Sequence, residues 1–133
     1  DVTIVAAGVE IDEAMKAADA LAGQGVSAEV VDAFCIKPLD AGTILASVAK
    51  TGCIVTAEEH SVIGGLGGAV SELLAEAHPA PLERVGMRDC FGTSGEFEEL
   101  LAYFHLDAPS IVEAALKVIA RKEAKGHIAG SRA

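Results

Sequence analysis

Residues Cys53–Leu74 read CIVTAEEHSVIGGLGGAVSELL, and this stretch decides the fold. Cys53-Ile54-Val55-Thr56-Ala57 is a short apolar run rich in β-branched residues, the pattern of a strand buried on both faces. Glu58, Glu59 and His60 follow, where such a strand leaves the sheet. Gly64, Gly65, Gly67 and Gly68 come next, before Ala69–Leu74 opens a helix. A strand, a polar carboxyl end, a glycine turn and a helix make one βα unit of a parallel sheet. In open α/β sheets the functional crevice lies outside the carboxyl ends of the strands. Glu58, Glu59 and His60 are therefore expected to line that crevice.

Three uses are open for the glycines. They can expose backbone N–H groups to an anion such as phosphate at the helix N-terminus. They can bring this backbone close to another chain or domain, or simply allow a tight turn with positive φ. The motif is no dinucleotide fingerprint, because counting G-x-G-x-x-G from Gly65 puts Val70 at the sixth position. It is no P-loop either, since no Gly-Lys-Ser/Thr follows. Glu58, Glu59 and His60 could form an acid–base or metal site. Alternation along a strand opposes that use: only Glu58 and His60 share a side, and two ligands are too few for zinc. Close packing or a plain turn, with polar residues at a solvated or interface-facing strand end, is the preferred reading.

The remaining composition narrows the class. A length of 133 residues suits one domain able to bury about two-thirds of its unfolded surface. Apolar residues make up 51% but aromatic residues only 4%, so Ala, Val, Ile and Leu must build the core. The net charge of −10 argues against nucleic acid or an anionic membrane as partner. Cys35, Cys53 and Cys90 are odd in number and widely spaced, which fits a reducing cytosol better than a disulfide framework. No apolar run approaches the ~20 residues of a membrane-spanning helix and no signal peptide is visible, so a cytoplasmic protein is expected. The chain starts at Asp1 and runs straight into a strand, as a piece of something longer would.

Taken in order, Asp1–Gly8 reads as the first strand with its glycine turn, and about Glu10–Ala22 as a helix. That helix turns Ile11, Met15, Ala18 and Leu21 to one face. Val26–Phe34 is a second strand, Asp40 caps a helix to about Ala49, and Cys53 begins the third strand. The helix after the glycines ends near His78, before Pro79. Leu82–Met87 is the fourth strand, with Arg88-Asp89-Cys90-Phe91-Gly92 as its carboxyl-end loop. Thr93 and Glu96 form a capping box for a short helix to Tyr103 or Phe104. The last helix starts at Asp107–Ser110 and buries Ile111, Ala115, Val118 and Ile119. The apolar period lapses at Lys122, so a domain over 1–121 and a frayed tail over 122–133 are expected. His78 and His105 at helix ends, and His127 in the tail, read as structural. The expected architecture is a three-layer α/β/α sandwich with a mainly parallel four-stranded sheet in order 2-1-3-4.

Four segments together carry a resemblance. They are Val2–Gly8 with its helix, FCIKPLD at 34–40, TAEEHSVIGGLGG at 56–68, and FGTSG at 91–95 followed by ELL at 99–101. In this order and spacing the chain resembles the C-terminal domain of transketolase-type, thiamine-diphosphate-dependent enzymes. The FGTSG and ELL run is most similar to transketolase proper, including its split-subunit form. 1-Deoxyxylulose-5-phosphate synthase and the 2-oxoacid dehydrogenase β subunit are the alternatives within the family.

The resemblance implies that the parent transfers a two-carbon ketol unit between sugar phosphates as a homo-oligomer. It implies that thiamine diphosphate and Mg²⁺ sit between upstream pyrophosphate and pyrimidine domains, or on a partner subunit. This chain has no Gly-Asp-Gly, so no catalytic, cofactor or metal residue carries over to it. Its part is assembly, with Glu58, Glu59, His60, Gly64, Gly65, Gly67, Gly68 and Arg88 as a candidate domain interface or anion site. A salt bridge from Arg88 to Glu58 or Asp89 is the plainer expectation. The resemblance implies a leading antiparallel strand that a piece beginning at Asp1 would lack, which would leave a sheet edge bare. The competing class is a stand-alone module binding an anion or nucleotide at Gly64–Gly68.

Overall fold

A computed structural model describes the backbone of residues 1–130 and the side chains through residue 124. Four parallel strands lie in the order β2-β1-β3-β4: β1 (Val2–Ala6), β2 (Ala28–Asp32), β3 (Ile54–Ser61) and β4 (Leu82–Met87). The helices α1 (Glu10–Ala22), α2 (Ala41–Thr51), α3 (Leu66–Ala77), α4 (Phe97–Tyr103) and α5 (Ala108–Gly130) cover both faces. On one side α1, α4 and α5 pack against Val2, Ile4, Cys53, Val55 and Ala57. On the other, α2 and α3 pack against Val5 and Ile54. Residues of β1 and β3 that alternate in sequence therefore feed two separate cores, and both strands are buried on both faces. The result is the expected three-layer sandwich in the expected order.

Local chemistry sets the element ends. The Asp40 side chain accepts the Thr43 backbone N–H at 3.0 Å and so caps α2 as expected. The same bond holds the Asp40 carboxyl below its ordinary range. Thr93 and Glu96 do not form a capping box: α4 starts only at Phe97, with Glu96 itself as an extended N-cap that makes no side-chain bond. The buried face of α1 also differs from the periodic reading. Glu10, Glu13, Ala14, Ala17 and Leu21 are buried, whereas Met15 is 51% exposed. Two glutamates at core-facing positions disguise that stripe.

At the far end, the apolar period lapses at Lys122 but the helix continues to Gly130. Lys122 Nζ donates to the carbonyls of Asp1 and Thr51, which moors α5 to the amino end of the sheet. Residues 131–133 of the expected tail, and the His127 side chain, lie outside the described residues.

Candidate functional site

β3 runs to Ser61, so Glu58, Glu59 and His60 belong to the strand and do not follow it. The ladder to β4 pairs Ala57 with Val85 and then Ser61 with Met87, so β3 spends two more residues than β4 over this interval. The extra length is an irregularity at a sheet end, the kind that re-aims side chains. Glu58 turns toward α3 and is fully buried, while Glu59 lies exposed on the other side.

The Glu58 carboxylate closes the start of α3. Its Oε2 accepts the Leu66 backbone N–H at 2.6 Å and its Oε1 accepts that of Gly67 at 2.9 Å. His60 Nε2 lies 2.8 Å from the same Oε2, so the imidazole hydrogen points at the carboxylate. Helix N-termini favour negative charge, and here the chain supplies it from its own strand. The glycines make the arrangement possible. A Cβ at Gly65 would stand 2.1 Å from Glu58 Oε2 and 2.8 Å from His60 Nε2. One at Gly67 would meet Glu58 Oε1, Thr56 Oγ1 and the Arg84 stem within 3 Å. Gly67 and Gly68 already belong to α3, one turn earlier than the sequence pattern places the helix.

Two neighbours escaped sequence reading. Arg84 Nη1 donates to the Val62 carbonyl at 3.0 Å and clamps the loop leaving β3 onto β4. Thr56 Oγ1 is buried beneath Gly67 without a hydrogen-bond partner. Neither carries a sequence signal beyond its place on an inward-facing strand position. Arg88 does not reach Glu58 or Asp89. It is exposed, and its Nη2 donates to the Arg84 carbonyl along the same strand end. The site therefore unites Glu58, His60, Gly65 and Gly67, and leaves Glu59 and Arg88 outside it.

The carboxylate of this site is turned inward to the chain's own donors. Two of the N–H groups at the start of α3, those of Leu66 and Gly67, are already taken by Glu58. Among the described residues no three His, Cys, Asp or Glu side chains stand together as metal ligands. What this end of the sheet offers instead is apolar surface on the loops that leave it. Past the carboxyl ends of β2, β3 and β4, Phe34 is 88%, Ile63 67% and Phe91 100% exposed.

The Transketolase, C-terminal domain family model matches residues 1–111. The chain belongs to the transketolase C-terminal domain family. This transketolase C-terminal domain is 52% identical over 122 residues to the 6-deoxy-6-sulfo-D-fructose transketolase subunit SqwH of Clostridium sp. (strain MSTE9), covering 92% of the chain and 38% of that subunit. It is 40% identical over 126 residues to 1-deoxy-D-xylulose-5-phosphate synthase 1 of Geobacter sulfurreducens, covering 93% of the chain and 20% of the synthase. Among solved structures, a split gene transketolase described as an inactive beta4 tetramer superposes with a TM-score of 0.89 at 46% identity, over 92% of the domain and 40% of that chain. The domain thus spans at most two-fifths of the length of these relatives.

Proposed function

We propose that this domain is the non-catalytic C-terminal assembly part of a transketolase-like enzyme that transfers a two-carbon ketol unit between sugar phosphates. The observation that carries the reading is the closure of the Glu58 site. The Glu58 carboxylate pairs with the Leu66 and Gly67 N–H groups and with His60, and the loops at this end of the sheet expose Phe34, Ile63 and Phe91. Such a surface suits contact with protein better than proton transfer to a small substrate. The similarity to a transketolase subunit and to a split gene transketolase tetramer supports a role within a larger assembly.

Thiamine diphosphate with Mg²⁺ would supply the nucleophilic carbon when bound to the rest of the parent, in upstream pyrimidine and pyrophosphate domains or a partner subunit. The domain itself would bind no cofactor, and its Glu58–Gly68 segment, with Arg88 nearby, would lie at the packing surface. The parent would be a cytoplasmic homo-oligomer. A stand-alone anion-binding module is disfavoured, because Glu58 already occupies two of the N–H groups at the start of α3 and brings its own negative charge there.

The test is a pair of charge insertions, Phe34→Asp and Ile63→Asp, made in the full parent enzyme. Assembly should weaken, and turnover should be lost at low enzyme concentration yet recover as concentration rises. Loss of turnover at every concentration, with assembly intact, would put this surface in the chemistry instead.

A further inference from the structure

Glu10 is fully buried, and among the described residues it alone leaves both carboxyl oxygens buried without a hydrogen-bond partner. It opens α1, where the helix dipole favours the ionised form. Every titratable neighbour that acts on it does the opposite. Glu13 acts from α1 itself, Glu59 from the carboxyl end of β3, and Asp107 from the segment leading into α5. The nearby cation in sequence, Lys16, is already engaged by Asp12 and Glu13. Glu13 also fastens this seam, since its Oε2 accepts the Ala108 backbone N–H at the start of α5 at 2.7 Å. A charged carboxylate without a donor is costly to bury, and three acidic neighbours increase the cost.

We propose that Glu10 is a proton-operated latch: protonated, it stabilises the packing of α1 against the carboxyl end of β3 and the start of α5, and ionised, it weakens that packing. The inference is independent of the assembly reading above. Burial first, then Glu13, Glu59 and Asp107, push the Glu10 carboxyl up to about 7. Folding therefore favours the protonated form. The stability it confers is full below the ordinary glutamate range and declines as pH rises from about 4.5, with the loss complete above about 7. The expected change in the folded-to-unfolded ratio across that window is on the order of 300-fold. Carboxylates held below their ordinary range, such as Glu83, act on the acid side of the window.

Thermal unfolding of the full chain and of Glu10→Gln, followed from pH 5 to 8, tests the latch. The difference between the two melting temperatures cancels the histidine titrations. The unmodified chain should lose stability relative to Glu10→Gln as pH rises, and parallel curves would overturn the proposal. A carboxyl ¹³C titration of the unmodified chain decides independently, even if the variant fails to fold. A Glu10 midpoint near neutrality that falls in Glu59→Gln supports the latch. A midpoint in the ordinary glutamate range overturns it.

Discussion

A methyl group on Gly65 would have to share space with a carboxylate oxygen only 2.1 Å away. The Gly65 φ of −94° is open to any residue, so the cost of Gly65→Ala comes from unseating Glu58 and not from backbone strain. Losing that cap and stranding its donors should cost about 2–3 kcal/mol, measured by urea unfolding. The same substitution in a Glu58→Ala background should cost less, because the 2.1 Å overlap is gone and only the half-exposed His60 ring is left to move aside. Equal costs in both backgrounds would show that the pair is not coupled. Glu58→Gln keeps an acceptor oxygen for one of the two N–H groups and should lose about 1–2 kcal/mol. Strand alternation alone placed Glu58 and His60 on one side in the sequence. What alternation could not show is that the partner of this carboxylate is the chain's own helix, because that depends on where the turn directs α3.

At the scale of elements, α5 is held to β4 by Glu83. Lys117 Nζ lies 3.0 Å from Glu83 Oε2, and Arg121 pairs with Oε1 and also donates to the Leu82 carbonyl. Burial alone would raise the Glu83 carboxyl, but Lys117 and Arg121 outweigh it and hold it below its ordinary range. Its contribution is therefore present above about pH 4.5 and is lost as pH falls through the lowered value. Glu83→Gln should cost about 1 kcal/mol at neutral pH and flatten the acid side of the stability curve. An unchanged acid limb would contradict that assignment.

Elements were legible in the sequence wherever a single period governed them. The bounds of α1 and β4, and the Asp40 cap of α2, are those expected. The pattern failed where tertiary contacts override it. The α1 stripe was hidden because Glu10 and Glu13 occupy core-facing positions that hydropathy assigns to solvent. β3 outran its apolar stretch because its last residues pair with β4 beyond an irregularity. Thr93 was a capping signal with no helix at the required spacing. Of the candidate site, Glu58 and His60 were found by position, and the glycines by composition. Arg84 and Glu10 were missed because each draws its role from neighbours distant in sequence.

For the whole molecule, a net charge of −10 surrounds a carboxyl end whose outer loops expose Phe34, Ile63 and Phe91. No helix of the described residues is long and apolar enough to cross a membrane. With the Glu58 site sealed from within, we place the chemistry of the proposed enzyme elsewhere in the parent and assembly in this domain. Calorimetry with thiamine diphosphate and Mg²⁺, on this chain alone and then joined by the rest of its parent, tests that division most directly. No binding to the isolated chain and saturable binding to the complete protein are expected. Saturable binding to the isolated chain would contradict that division and return the Gly64–Gly68 turn to the centre of a ligand site.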